Sequence, residues 1–209
     1  MGVRSQTLPA VTGILLAAGF SRRFGKADKL LQPMAQGVPM ALMAANKLHA
    51  VLPRSIAVVR ADNLWLAQAL ADLGLQVVLC EADQTEMADS LRLGIRHAAE
   101  SSGGTAGYVV ALADMPFLQT DTIDAIAQAV QQGGWIVRPV YQGQAGHPVG
   151  FSAKLTAELL AIHGDQGART VLQQHAARVQ SVACEDAGIL RDIDTVSDLA
   201  AALAQAMPR

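Results

Sequence analysis

The sequence predicts an α/β fold of three layers built on a mostly parallel, mixed sheet. Three observations predict it. Short β-rich apolar runs alternate with longer amphipathic segments through the first 130 residues, the pattern of strand–helix–strand units with right-handed crossovers. From Trp135 onward the alternation gives way to short runs around the turn QGQAG, which makes the sheet mixed. Hydrophobic residues make up 51% of the 209, enough for a large core and too many for disorder. No linker, repeat or low-complexity tract interrupts the chain, so residues 1–209 are expected to form one domain.

Each element follows from its local pattern. Val11–Ala17 is a buried first strand. Pro39–Leu52 is a helix, with Pro39 tolerated in its first turn. SIAVVR (Ser55–Arg60) is the second strand, Leu64–Leu73 the second helix and QVVLC (Gln76–Cys80) the third strand. Ala88–Ala99 is helical because Leu91, Ile95 and Ala98 recur at helical spacing. YVVALA (Tyr108–Ala113) is the fourth strand and ends at Asp114. Thr120 is a suitable cap for a helix over Asp121–Gln132. Trp135–Tyr141 and Pro148–Phe151 read as a hairpin-like pair, Ala153–Ile162 and Ala168–His175 as helices. Val179–Cys184 and Ile189–Asp192 are late strands, and Ser197–Met207 is a closing helix. Sheets of this kind bind ligands at the carboxyl ends of their strands, which puts the loops after Ala17 and Ala113 on one edge.

Composition narrows the function. The formal net charge is -2 and aromatics are 4%, so neither a global basic field nor a base-stacking surface for nucleic acid is expected. Positive charge is concentrated at Arg22, Arg23, Lys26 and Lys29, which suits a small anionic ligand. Cys80 and Cys184 form no CxxC and are expected to be buried, reduced thiols, and His49, His97, His163 and His175 lack zinc spacing. The start MGVRSQTLPA has no long apolar core. No run approaches the roughly 20 apolar residues of a membrane span. The expected compartment is the cytoplasm, with no membrane partner. No G-x-S-x-G elbow is present.

The chemistry is concentrated in GILLAAGFSRRFGKADKLL, Gly13 to Leu31. A strand that opens into a glycine-bearing basic loop offers backbone N–H groups and cations to a nucleoside triphosphate. It is not a Walker A loop: Gly19 and Gly25 are one residue too far apart, and Ala27 stands where a hydroxyl would hold magnesium. The close glycine pair of a dinucleotide fingerprint is also missing.

LAAGFSRRFGKADK resembles the signature loop of the MobA/MocA-like nucleotidyltransferases of molybdenum cofactor synthesis, L-[AG]-[AG]-G-x-S-x-R-M-G-x-x-K. Leu16, Ala17, Ala18, Gly19, Ser21, Arg23, Gly25 and Lys29 match, and Phe24 replaces the methionine. The LAAG form is similar to the cytidylyl-transferring, MocA-like branch; the guanylyl branch more often shows LAGG. Further segments follow in the family's order. EMADSLRLG resembles G-M-x-x-S-L-x-x-G through Ser90, Leu91 and Gly94, with Glu86 where glycine is usual. ADMP resembles the metal-binding turn and QAGHPVGF a turn on the acceptor side. DIDTVSDL resembles D-I-D-T-P-x-D-L, with Val196 in place of proline.

The resemblance implies a Rossmann-like nucleotidyltransferase fold. It implies transfer of CMP from CTP to the terminal phosphate of molybdopterin, with release of pyrophosphate and with Mg2+ as cofactor. Leu16, Ala17, Ala18 and Gly19 would line the nucleotide, and Arg23 and Lys29 would neutralise the triphosphate and the charge that develops in transfer. Asp114 is carried over as a magnesium ligand and, with Arg23 and Lys29, as a catalytic residue. Asp194 would complete the metal site. Alternation along a strand would put Asp192 on the same face as Asp194. Ser90 would lie near the sugar or base, and His147 near the acceptor. Arg169, after GDQGA, is a further candidate contact to the acceptor. Plainer readings stay open: a turn aspartate at 114, a first-turn helix serine at 90 and a structural histidine at 147. Thr195 or Ser197 capping the last helix, with Asp198 at its positive end, is the alternative for the DIDT segment. GTP or ATP as donor, a sugar or polyol phosphate as acceptor, and a non-catalytic molybdopterin carrier also remain open, and a recipient molybdoenzyme is an implied partner.

Overall fold

The computed structural model describes residues 10–19, 24, 28–34, 37–81, 83–84, 86–101, 104–164 and 167–206. Among these residues eight strands form one sheet: β1 (Thr12–Ala17), β2 (Ser55–Arg60), β3 (Gln76–Cys80), β4 (Gly107–Leu112), β5 (Ile136–Tyr141), β6 (Gln144–Ala145), β7 (Val149–Ser152) and β8 (Val179–Ala183). Their order is β3-β2-β1-β4-β7-β5-β6, with β8 also on β5. β1 runs parallel to β2 and β4, β2 to β3, and β5 to β8. β7 is antiparallel to both β4 and β5, and β5 to β6. The fold is therefore the mostly parallel, mixed α/β architecture that the alternating pattern predicts.

The helices are α1 (Met40–Val51), α2 (Leu64–Asp72), α3 (Met87–Glu100), α4 (Thr120–Gln131), α5 (Thr156–Leu160), α6 (Arg169–Gln174) and α7 (Val196–Ala206). Side chains alternate across a strand, and the core divides accordingly. Leu15 and Ala17 of β1 pack with Ala41, Ala45 and Leu48 of α1, Leu66 of α2 and Ile123 of α4. Ile14 faces the other way, with Leu91 and Ile95 of α3, Leu159 of α5 and Val171 of α6. The central strands are buried on both faces, as parallel strands under helices must be. A smaller third cluster joins Phe24, Met34, Met40, Ile193 and Ala202. It joins Phe24 and Met34 to Ile193, in the segment before α7.

At Gly94 α3 lies close against the sheet. A Cβ there would lie 2.7 Å from Ile14 Cγ2 and 3.1 Å from Val58 Cγ2. The glycine of the SLxxG segment is thus a packing requirement.

The second half departs from several expectations. Ala187–Leu190 is a 3-10 turn, whereas the sequence suggested a strand over Ile189–Asp192. The buried Asp186 carboxylate accepts a hydrogen bond from Gly188 N at 2.8 Å and closes the turn, which overrides the β-propensity of Ile189. Asp192 and Asp194 therefore do not alternate along a strand. The helix expected over Ala153–Ile162 divides into a 3-10 turn, Ala153–Leu155, capped by Ser152, and the short α5. Thr120 is the first residue of α4, with Gln119 at the cap position. Cys80 is buried, but Cys184 is only half-buried. Thr195 caps α7: Asp198 N donates to Thr195 Oγ1 at 3.1 Å, and Thr195 N returns a bond to Asp198 Oδ2 at 2.8 Å. Among the described residues no helix is long and apolar enough to cross a membrane.

Overpacking at a tight core contact costs about 1–3 kcal/mol, more than replacing a helical glycine gains. Gly94→Val is expected to lower the unfolding free energy by that order, read as a lower denaturant midpoint with no change in the slope of the transition.

Candidate functional site

The site forms where β1 and β4 end side by side. Ala113 N donates to Leu16 O at 3.1 Å, which sets Ala17, Ala18 and Gly19 beside the turn that carries Asp114. Beyond β1 the chain returns in a 3-10 turn, Lys29–Leu31. Its cap is Asp28, whose Oδ1 accepts from Leu30 N at 3.0 Å. Leu30 is buried in the core, so the turn is seated and the Lys29 side chain is directed to the sheet edge.

There Lys29 Nζ lies 2.7 Å from Asp114 Oδ2 and 2.8 Å from Asp194 Oδ1. Lys29 is only 7% exposed. Burial desolvates the ammonium and pulls its pKa down, but the charges and hydrogen bonds of Asp114 and Asp194 outweigh that and hold it above the ordinary lysine value. Three residues far apart in sequence thus meet at one point.

The two carboxylates are brought together by backbone. Ile193 N donates to Asp114 O at 3.0 Å, and the Ile193 side chain is buried in the third core cluster. Asp186 adds a second tie. It accepts from Gln119 N at 2.9 Å and Thr122 Oγ1 at 2.8 Å on the Asp114 side, and from Gly188 N on the Asp194 side. A Cβ at Gly188 would strike the Phe117 carbonyl. Lys47 Nζ donates to Pro116 O at 2.7 Å and fixes the turn after Asp114.

Asp114 Oδ1 is buried and has no hydrogen-bond partner among the described residues. A carboxylate oxygen left over beside a two-carboxylate cation site fits a hard divalent ion. Magnesium commonly takes one or two carboxylates and completes its shell with phosphates and waters. Asp114 and Asp194 would be its holders. No group of three or more His, Cys, Asp or Glu gathers among the described residues.

Arg23 lies outside the described residues, as do Ser21, Arg22, Gly25 and Lys26. Ser90 is buried in the first turn of α3, and its hydroxyl donates to Met87 O at 3.0 Å. Glu86, the departure from glycine, is the cap residue of α3 and accepts from Gly164 N at 2.7 Å. It pins the segment before α6. Arg169 opens α6 and is exposed. Asp192 is exposed and sits two residues before Asp194.

His147 donates its backbone N–H to Ile189 O at 3.0 Å. Its Nδ1 is buried without a partner among the described residues. Burial, reinforced by Arg138, drives its pKa down to about 4 against the opposing pull of Asp192. It is a neutral imidazole at neutral pH and brings no positive charge to an acceptor phosphate.

Residues 13–179 match the MobA-like NTP transferase domain. The chain belongs to that family. It is 30% identical to the molybdenum cofactor guanylyltransferase of Cupriavidus metallidurans, over 90% of this chain and 92% of that protein. It is 28% identical to nicotine blue oxidoreductase of Paenarthrobacter nicotinovorans, over 92% of this chain and 96% of that protein. Among solved structures it resembles Rv0371c of Mycobacterium tuberculosis, with a TM-score of 0.80 and 27% identity over 93% of this chain and 98% of that one. A manganese complex of Rv0371c matches at TM-score 0.75 and 25% identity over the same shares. A nucleotidyltransferase of the MobA-like family accounts for the fold; Lys29 and Asp114 lie within the matched residues, and Asp194 lies beyond them.

Sequence reasoning passed over Asp28, Asn63, Asp186 and Arg138. Asn63 carried one usable signal, a cap residue ahead of the apolar helix Leu64–Leu73. The half-buried Arg138 guanidinium reaches Ala145 O at 3.3 Å. Nothing in its position along the chain signals that it packs beside His147.

A histidine whose folded pKa lies below its unfolded value of about 6.5 contributes stability that is present above 6.5 and is lost as pH falls toward 4. Thermal midpoints measured between pH 7 and pH 4 should fall through this window. In His147→Gln the decline should be shallower by the histidine's share.

Proposed function

We propose that this chain transfers CMP from CTP to the terminal phosphate of a molybdopterin-type cofactor, with Mg2+ as its metal, and releases pyrophosphate. The observation that carries the reading is the Lys29 ammonium between Asp114 and Asp194 at the carboxyl edge of β1 and β4. The choice of acceptor is supported by the guanylyltransferase relatives, and a divalent metal by the manganese complex of Rv0371c. The choice of cytosine rests on the LAAG loop, Leu16 to Gly19. Delivery of the product to a molybdoenzyme would follow in the cytoplasm.

In the proposed reaction an oxygen of the acceptor phosphate attacks the α-phosphorus of CTP. The new O–P bond forms as the bond to the β-phosphate oxygen breaks, and pyrophosphate carries away the displaced charge. The acceptor is already an anion, so no general base is needed. Positioning and charge stabilisation supply the catalysis. Asp114 and Asp194 would hold the metal, which when bound supplies positive charge at the phosphates. Lys29, with Arg23, would meet the triphosphate. Ala17, Ala18 and Gly19 keep side-chain bulk away from the nucleotide, Ser90 would lie near its sugar, and His147 and Arg169 would border the acceptor. Because the same ammonium satisfies both carboxylates, a divalent ion and Lys29 compete for Asp114 and Asp194 until a triphosphate offers the lysine another anion.

With molybdopterin as acceptor, pyrophosphate release is expected with CTP and Mg2+ and to be much slower with GTP, ATP or UTP. Faster release with GTP would overturn the base assignment, and binding without release would make the protein a carrier. Lys29→Met and Asp114→Asn should each lower turnover by about a hundredfold or more. Without nucleotide, Lys29→Met should bind Mn2+ more tightly than the wild type in calorimetry, because the competing ammonium is gone. Weaker Mn2+ binding in that variant would contradict the competition.

A further inference from the structure

Asn63 stands at the junction of β2 and α2 and is 9% exposed. Its carboxamide has two arms, and both are used. Oδ1 accepts from Leu66 N at 3.2 Å and caps α2. Nδ2 donates to Asp28 Oδ2 at 2.7 Å. The other Asp28 oxygen caps the turn whose first residue is Lys29, and the Asp28 backbone carbonyl accepts from Gln32 Nε2 at 3.0 Å. Arg60 Nη2 lies 3.8 Å from Asp28 Oδ2. A continuous path of hydrogen bonds therefore runs from the first turn of α2, through Asn63 and Asp28, to the backbone that carries the Lys29 ammonium.

We propose that Asn63 is a positioning residue for Lys29, acting through Asp28; its catalytic consequence rests on the role given to Lys29 above. The chemistry of the side chain favours this over simple capping. Serine or aspartate caps a helix as well as asparagine does. An ionised aspartate has no donor for Asp28, and a serine hydroxyl is too short to serve Leu66 N and Asp28 together. Only a side chain with an acceptor on one arm and a donor on the other fastens α2 to the lysine turn. Outer-shell partners that orient the ligands of a metal site typically cost ten- to a hundredfold when lost, and a loss of the same order is expected here.

The test uses the full chain with Asn63→Ser and Asn63→Asp, both of which keep α2 capped, alongside Lys29→Met and the double variant Asn63→Ser/Lys29→Met. Two readouts are taken. The first needs no substrate: the 13Cε–1Hε NMR resonance of Lys29, assigned by its absence from Lys29→Met. The second is the turnover number for pyrophosphate release. The expected results are a shifted or broadened Lys29 resonance in both Asn63 variants and turnover lowered about tenfold or more. No further loss is expected when Asn63→Ser is added to Lys29→Met, since a residue that acts through another has nothing left to act on. An unchanged Lys29 resonance in both variants overturns the proposal. So does a loss from Asn63→Ser that multiplies with that of Lys29→Met, which a merely structural role would give. If the wild type releases no pyrophosphate from CTP, GTP, ATP or UTP, the proposed function fails, and the resonance alone decides the positioning role.

Discussion

One ammonium held between two carboxylates sets the terms for the rest of this structure. Lys29, Asp114 and Asp194 come from three distant parts of the chain, and each gives up water to reach the others. Withdrawal of a charge from water is costly unless partners repay it. Breaking such a set by removing one member costs about 3–5 kcal/mol when it is fully buried, and less here because the two aspartates keep 20% and 23% of their side chains exposed. The arrangement persists because the sheet places β1 beside β4 and the last loop returns beneath Asp114.

Much of the remaining polar architecture converges on that point. Asp186 ties the turn after β4 to the turn before Asp192, and Lys47 fastens Pro116. Phe24, Met34 and Ile193 share one apolar cluster, so described residues on either side of the Lys29 turn pack against the aspartate-bearing segment. Hydrogen bonds to charged groups are worth about 1.5–3 kcal/mol each when satisfied, and a group held by several of them loses little further freedom on meeting a ligand. A nucleotidyltransferase gains from such preorganisation, since its chemistry consists of stabilising charge that moves between phosphates.

The first half of the fold was legible because strong periodicity and short turns left little choice. SIAVVR and QVVLC begin and end where the sequence places them. The second half was less legible because side chains redirect the backbone there. Asp186 turns Ile189 away from a strand, and Ser152 interrupts the expected long helix. At the site, Lys29, Asp114 and Asp194 were legible through the ordered resemblance of their segments. Their mutual contact was not, because it depends on how three loops pack. The Glu86 substitution, puzzling in sequence, is explained once Gly164 is seen to donate to it. Asn63 reads in sequence as a cap and nothing more. Its second arm matters only because Asp28 folds back within 2.7 Å.

The most direct test of the central claim is a crystal structure of the full chain with Mn2+ and a non-hydrolysable CTP analogue, with the metal located by its anomalous scattering. The expected result is a manganese peak bound by Asp114 and Asp194, with the Lys29 ammonium withdrawn from them onto a phosphate oxygen. A peak at other residues, or Lys29 still bridging the two carboxylates with the nucleotide bound, would contradict it.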